Sequence, residues 1–450
     1  SDVCSSDLVE KTNILPNNFY YNILHEISDN TLLVGRYYKE QNNSLKDRIV
    51  KLVKNEEKYE ETMNINAEGL INFIILKNNI LIHSTAGSGK TTCLVKVALN
   101  NAGKKILITT YTRNNTQEIK NKFVELNGYV PKNVEITTWE TFLLKNCIRP
   151  YQNLMGFEDR IYQVYFTNTD PHLRKGSNGK YYYTIKKSDD IQRYYLTSNG
   201  RIYSCKISEF ADDCHKMVKG KMLQRMEECY DYIFVDEAQD FAGYDFEIMN
   251  LILKSKNIKS IIVADKRQNT FDTHHSKKNK KYAENIIEWF KFLENKKFAK
   301  LYYLNNTWRC NQQICDIADS LYPELPKSIS KNKVITEHDG LFYVKNENLK
   351  KYLNRYNPVV LAYGKNSCND LETDIRTMNF GISKGLTFDR VIIKPTEKIM
   401  NFLQYGSIPD KAKEKLYIAI TRARYSVGFI VPNVINLDTF YNKKIVEWCE

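Results

Sequence analysis

The run Ser84-Thr85-Ala86-Gly87-Ser88-Gly89-Lys90-Thr91 combines small side chains, two glycines, a cation and a hydroxyl in the order a phosphate cradle requires. Backbone N–H groups of such a loop, and of the helical turn opened by Thr92, can point at the β and γ phosphates of a nucleoside triphosphate. Lys90 can neutralise those phosphates and the Thr91 hydroxyl can ligate Mg²⁺. The bland alternative is a Gly/Ser turn opening a helix; the full Gly-x-Gly-Lys-Thr core between a strand and a helix argues against it. Alone, the loop specifies a triphosphate and nothing about the work done with it.

A second cluster supplies acids. The apolar run Tyr232-Ile233-Phe234-Val235 delivers Asp236-Glu237-Ala238-Gln239-Asp240. Asp236 can hold Mg²⁺ directly or through water, and Glu237 can orient and deprotonate an attacking water. After the run Ser260 to Ala264 comes Asp265-Lys266-Arg267-Gln268-Asn269-Thr270-Phe271, in which Gln268 can sense the γ phosphate or its water and Phe271 can stack on a base. Hydroxyls, an amide, an aromatic and a cation follow a further strand in Thr110-Tyr111-Thr112-Arg113-Asn114-Asn115-Thr116. They suit a phosphodiester backbone, although a helix cap at Thr112 or Asn115 accounts for part of the pattern.

These groups need rigid elements to place them. Ile80 to Ile82 reads as a buried strand and Thr92 to Leu99 as the helix after it; Lys105 to Thr109 and Val134 to Thr138 read as further strands. From about residue 63, apolar strands end regularly at polar or glycine-bearing turns, as in an α/β fold whose parallel sheet presents ligand groups at its carboxyl edge. Residues 143 to 228 interrupt this rhythm and read as an inserted subdomain. Tyr181 to Tyr183 adjoin Lys180, Lys186 and Lys187, and Arg193 precedes Tyr194 and Tyr195. Cations beside aromatic faces suit single-stranded nucleic acid, while the same alternation also describes a strand pair, Tyr181 to Ile185 and Ile191 to Leu196. Lys277 to Lys300 reads as a basic amphipathic helix with one buried face.

A second sheet is expected to begin near Leu301 to Leu304 and to continue through Leu341 to Val344, Pro358 to Tyr363, Phe388 to Ile393 and Ser426 to Val431. It carries no second phosphate loop, so it is expected to lend groups to the first site. Residues 9 to 60 have no assigned role, although Lys46 to Glu61 looks like an exposed helix; Ser1 to Leu8 is patternless and is left out of the fold reasoning.

The chain has 450 residues, room for two to four domains, and a formal charge of +13 from 66 basic and 53 acidic side chains. That surplus favours a polyanionic partner. The ten cysteines include no Cys-x-x-Cys pair, which argues against zinc ribbons, thioredoxin motifs and regular iron–sulfur frameworks. Neither a membrane-length apolar run nor a signal-peptide core is apparent, and a cytoplasmic or other intracellular setting is expected.

In this order, the stretches resemble the superfamily 1 helicases of the UvrD/Rep type. Ser84 to Thr91 looks like motif I, Thr110 to Asn114 like motif Ia, Asp236 to Asp240 like II and Asp265 to Gln268 like III. Asn306 to Arg309 is similar to motif IV, Ser383 to Asp389 to V, and Tyr417 to Arg424 to VI. The resemblance covers roughly residues 63 to 432. It implies two RecA-like motor domains, one at 63–300 with the inserted subdomain and one at 301–450, with 1–62 as an extension. ATP and Mg²⁺ would lie between them. Lys90, Asp236, Glu237, Gln268, Arg309 and Arg422 would be catalytic, the two arginines reaching the γ phosphate from the second domain, and Trp308 would stack on the adenine. Thr110, Tyr111, Arg113, Phe271 and the turn Ser383-Lys384-Gly385 would line a DNA strand, followed 3′ to 5′ as single-stranded or partly duplex DNA.

Four departures from that pattern stand out. Asn66-Ala67-Glu68-Gly69 lacks the adenine-reading Gln, Ala264 replaces a Gly, Glu140 stands where His is common, and Thr387 replaces the Glu of Lys-Gly-Leu-Glu-Phe. Only 73 residues separate Arg309 from Ser383, so a large second insertion is missing or vestigial. A compact translocase that works with a loading or activating partner is expected. An RNA-directed ATPase and a nucleic-acid-binding clamp that does not unwind remain open as alternatives.

Overall fold

The computed structural model describes residues 19–27, 31–38, 78–157, 160–167, 169–269, 278–364, 376–434 and 444–449. Near the start, Phe19–Ile27 and Thr31–Tyr38 pair as an antiparallel hairpin with a register shift between Leu24 and Glu26. The expected helix at Lys46 to Glu61 and the departure at Asn66 to Gly69 lie outside the described residues.

From residue 78 onward the fold is α/β, with two RecA-like domains built on six-stranded parallel sheets. The first sheet comprises β1 (Asn79–Ser84), β2 (Ile106–Thr110), β3 (Val134–Thr138), β4 (Tyr232–Val235), β5 (Lys259–Ala264) and β6 (Ala299–Leu304). Their spatial order is β6-β1-β5-β4-β2-β3. β1 and β2 are buried along their whole length, which explains why their apolar residues run on without alternating: both faces of a parallel sheet are covered. The chain leaves β1 and returns as β2 with room for two strands between them, later filled by β5 and β4. The carboxyl ends of β1, β5, β4 and β2 therefore open side by side at a topological switch point.

Leu301 to Leu304, expected to open the second sheet, instead forms the edge of the first. β6 pairs in parallel with β1 from Ala299 opposite Asn79 to Leu304 opposite Ser84. Thr85 continues the ladder by donating its N–H to the Leu304 carbonyl at 3.0 Å. This pairing delivers Asn305 to Arg309 directly to the phosphate loop. The region before β6 also differs from the single helix expected. Two helices, Lys280–Glu284 and Ile286–Asn295, meet at Asn285, whose extended backbone breaks the first and whose side chain caps Ile287 N–H of the second.

The inserted segment packs into the first domain's core. Phe157, Tyr195, Phe210 and Met222 belong to the same apolar cluster as Leu81, Leu107 and Ile233. The proposed pairing of 181–185 with 191–196 does not form. Tyr181–Tyr183 pairs antiparallel with Leu173–Lys175. Ile191–Tyr195 is a short helix because the Asp190 side chain accepts from Arg193 N–H, and this turns Tyr194 and Tyr195 inward.

The second sheet comprises β7 (Gly340–Lys345), β8 (Val359–Ala362), β9 (Thr377–Asn379), β10 (Phe388–Ile393), β11 (Ala423–Val431) and β12 (Val446–Glu447), in the order β9-β8-β10-β11-β7-β12. Its core joins Leu341, Val391 and Val427 to Ile314, Leu416 and Tyr417 of the covering helices. Cys310 and Cys315 are buried in that packing. Among the described residues, no helix is long and apolar enough to cross a membrane.

Candidate active site

Helix α1 (Lys90–Leu99) starts at the carboxyl end of β1, and the loop between them makes its turns with Gly87 and Gly89, at φ 71° and 80°. Gly89 occupies the left-handed N-cap position, where a side chain would be strained. Ser88 is buried, and among the described residues its hydroxyl has no hydrogen-bond partner. The Thr91 hydroxyl donates to Asp236 Oδ2 at 2.8 Å, so the two expected metal ligands already converge. Lys90 Nζ lies 2.6 Å from Glu237 Oε1. Burial works against the Lys90 ammonium, but the carboxylates of Glu237, Asp236 and Asp265 hold its pKa above the ordinary value.

The strand-end acids divide the electrostatic work. Glu237 sits in the left-handed region, φ 60° and ψ 40°, at the abrupt end of β4. Burial would raise its pKa, yet Lys90 and Lys384 together hold it well below the usual carboxylate range. Asp236 is shifted upward, by burial first and then by Glu237. Gln239 ties the strand ends together: its amide nitrogen donates to Glu237 Oε2, and its oxygen accepts from Asp265 N–H at 3.0 Å. Gln268 donates to Asp265 Oδ2 at 2.7 Å, which turns its oxygen toward Arg422, 3.4 Å away.

The second domain meets these groups with the amino ends of β10 and β11. Arg422, immediately before β11, is almost wholly buried. Its guanidinium donates to the carbonyls of Ile418 and Leu386, to the Thr421 hydroxyl and to Gln268. Burial, followed by repulsion from Arg309, pushes its pKa down to about 9. Arg309 is anchored by donation to the Thr421 carbonyl at 3.1 Å. Trp308 is 46% exposed, and its N–H donates to the Gly87 carbonyl at 3.0 Å. The phosphate loop is docked further: Thr85 Oγ1 lies 2.7 Å from the Ser328 hydroxyl and 3.2 Å from the Tyr417 hydroxyl, and Ala86 packs into the second domain's core.

Together these groups line one cavity of about 290 Å³. Its walls hold Gly87 to Thr92, Asp236, Glu237 and Gln268 from the first domain, and Trp308, Arg309 and Arg422 from the second. The glycine cradle, the buried Ser88 hydroxyl, the Thr91–Asp236 pair and the cations Lys90, Lys384, Arg309 and Arg422 make a donor set that fits a triphosphate with a divalent metal. Ser84 contributes from below, its hydroxyl donating to the Ala264 carbonyl.

The expected strand contacts are placed less uniformly. Arg113 is exposed at the start of helix α2 (Arg113–Asn127), and Tyr111 is half-buried against the first core. Thr110 is buried and accepts from Asn115, while Ser383 is buried and donates to the Phe380 carbonyl, so neither hydroxyl faces outward as expected. Lys384 departs most from its expected place. It points into the cleft, with Nζ 3.0 Å from Asp240 Oδ2 and 3.5 Å from Glu237 Oε2. Phe271 lies outside the described residues.

Sequence reasoning missed Gln239 and Lys384 as partners of Glu237 and Asp240 as the partner of Lys384, and missed the face of α2 that lines the cavity, Asn115, Glu118 and Lys122. Their spacing of three and four residues puts them on one helical face, a signal that was available. Thr387 does line the cavity where the resemblance calls for a Glu.

The family model of the viral superfamily 1 RNA helicase core domain matches residues 187–431, more than half of the chain. The chain belongs to this superfamily 1 helicase core family. An AAA-domain model matches residues 68–272, which include the phosphate loop and both strand-end acids. The Gabija protein GajB of Bacillus cereus (strain VD045) is 26% identical over 279 residues, 57% of this chain and 48% of that protein. The chain thus spans about half the length of this curated relative. Among solved structures, the PRRSV helicase aligns with a TM-score of 0.37 at 15% identity, covering 80% of this chain and 54% of that one. Arterivirus nonstructural protein 10 (helicase) aligns at 0.38 and 14%, covering 81% and 62%.

Proposed function

We propose that the chain is an ATP-driven helicase or translocase of the UvrD/Rep type that moves 3′ to 5′ along single-stranded DNA inside the cell. One observation carries the hydrolytic part of this reading. Glu237 and Lys90 of the first domain and Arg309 and Arg422 of the second line one cavity. The phosphate loop would hold the triphosphate, with Thr91 and Asp236 as the residues for Mg²⁺. Bound Mg²⁺ would supply Lewis-acid polarisation of the phosphoryl oxygens. Glu237 would accept the proton of the attacking water, Gln268 would orient that water, and the two arginines would stabilise charge on the transferring phosphoryl group. Because the arginines belong to the other domain, hydrolysis and domain closure are linked. The strand would run past Arg113 and Tyr111, with the exposed Tyr181, Tyr182 and Tyr183 of the insertion as stacking faces.

An RNA-directed activity is the second reading, favoured by the description of the family that matches residues 187–431. Nucleotide hydrolysis measured without nucleic acid, with single-stranded DNA and with single-stranded RNA separates the two, using Lys90→Ala as the control. Strong stimulation by DNA, lost in Lys90→Ala, is expected. Stimulation by RNA alone transfers the assignment to RNA, and equal turnover in all three conditions removes the motor and leaves a clamp. Displacement of 3′-tailed against 5′-tailed duplexes fixes the polarity.

A further inference from the structure

Glu237 is the group expected to take a proton from water, yet its carboxylate is fully engaged. Lys90 Nζ is 2.6 Å from one oxygen, while the other accepts from the Gln239 amide and faces Lys384 Nζ at 3.5 Å. Donors already placed on both oxygens compete with an attacking water for the same lone pairs. Of these partners only Lys384 comes from the second domain. It is also held by Asp240, with Oδ1 and Oδ2 at 3.2 and 3.0 Å, and its own side chain is only 9% exposed.

Lys384 lies in a turn that is pressed against the first domain from a second side. Gly385 has φ +88°, and a Cβ built on it would sit 3.3 Å from Glu118 Oε2 on α2. That helix begins at Arg113, an expected strand contact. The turn at 383–385 is therefore wedged between the acids after β4 and the helix that carries the outer strand contact.

We propose that Lys384 is an interdomain latch: paired with Asp240 and Glu237 it restrains the hydrolytic base, and engagement of a nucleic-acid strand by the 383–385 turn withdraws it. Lys384 acts here as a positioning residue, through Glu237, and the proposal rests on the strand-coupled reading above. No covalent step is involved. Opening the latch leaves Lys90 on one Glu237 oxygen and takes one of two donors from the other, which then keeps only Gln239 of the pair and can accept from a water.

The test uses the full chain. Removing Lys384 alone would leave Asp240 buried without its cation, so the principal variant is the double substitution Lys384→Met with Asp240→Asn, and Lys384→Arg keeps the charge. Without nucleic acid, the double variant is expected to hydrolyse ATP roughly tenfold or more faster than wild type. Its further stimulation by single-stranded oligonucleotide should be correspondingly small, and Lys384→Arg should restore the low basal rate. Small-angle scattering in the absence of nucleotide gives a readout independent of activity, with the double variant showing a larger radius of gyration. An unchanged or lower basal rate with the stimulation ratio intact overturns the latch, as does an unchanged scattering profile. Loss of turnover both with and without a strand also overturns it, assigning Lys384 to the transition state. Wild type that ignores nucleic acid would sink the strand-coupled reading itself, and that result is visible before any variant is made.

Discussion

Gly87 offers the sharpest test of whether the docked arrangement of the two domains is the hydrolytic one. A Cβ at residue 87 would lie 2.6 Å from Arg309 Cβ and 2.7 Å from Thr307 Oγ1. Arg309 Cβ is fixed to its backbone and cannot rotate away, so Gly87→Ala must push the second domain off the loop. Overpacking of this kind costs about 1–3 kcal/mol. Losing the Trp308 N–H to Gly87 carbonyl bond, 3.0 Å in the structure, adds about 1 kcal/mol. Docking would then be disfavoured by about 2–4 kcal/mol, or roughly 30- to 1,000-fold in the docked population. A separate strain of about 1–2 kcal/mol, from placing alanine at φ +71°, acts whether or not the domains are docked. The melting temperature should therefore fall modestly while steady-state ATP hydrolysis falls by well over tenfold. Gly103→Ala, where the new Cβ meets nothing within 4 Å among the described residues, should behave as wild type. A Gly87→Ala protein that folds and turns over within about twofold of wild type would refute the requirement for docking, since no population shift of the expected size would then limit the rate.

Three further outcomes are expected. Glu237→Gln should still bind nucleotide, measured by fluorescence titration, while turnover drops by about 10² to 10⁴, the usual value of a general base; full turnover would remove Glu237 from that role. Arg422→Lys cannot reproduce the contacts of the guanidinium to Ile418, Leu386, Thr421 and Gln268, so hydrolysis should fall by roughly 10³ or more with oligonucleotide binding kept. Glu140 is pushed up to about 7, by burial first and then by Asp245. A raised carboxyl contributes stability below its ordinary value of 4.5 and loses it as the pH rises through about 7. Glu140→Gln should accordingly melt higher than wild type at pH 8, by up to roughly 3 kcal/mol in stability, and the two should converge below pH 4.5; equal melting at pH 8 would remove this burial cost.

The features legible in the sequence were those whose physics is local. A glycine loop between a buried strand and a helix, and acids at the end of an apolar run, need no knowledge of the rest of the chain. Residues 84–91 and 236–240 accordingly sit at the ends of β1 and β4 as their spacing required. Sheet membership is a long-range property, and the apolar run at 299–304 looks the same at the edge of one sheet or the start of another. Only its register against Asn79 to Ser84 decides the matter. The short helix at 191–195 was hidden for a different reason: the Asp190 cap outweighed a tyrosine-rich composition that favours strands. Lys384 was misplaced because a lysine beside a glycine turn reads the same whether it faces a phosphodiester or a buried carboxylate. Its partner Asp240 lies 144 residues away in sequence.

The contacts that join the two domains explain why such a site can cycle. At the phosphate loop Ala86 packs into the second domain's core, Thr85 meets the Ser328 and Tyr417 hydroxyls and Trp308 N–H meets the Gly87 carbonyl; away from the loop Lys384 pairs with Asp240, and Arg267 with Asp319 and the Pro326 carbonyl. A neutral hydrogen bond contributes about 1 kcal/mol net, and a buried ion pair returns little beyond its desolvation cost. A handful of these is comparable to the roughly 8 kcal/mol with which a micromolar ligand binds. The seam is thus weak enough for nucleotide binding and product release to shift, whereas the apolar cores on either side, built around Leu81 and Leu416, are not. Motion is thereby confined to the boundary where Arg309, Arg422 and Lys384 meet the strand-end acids. A rigid-body change there alters the hydrolytic site and the 383–385 turn in a single step, and that shared boundary is the physical link between hydrolysis and strand movement in the proposed function.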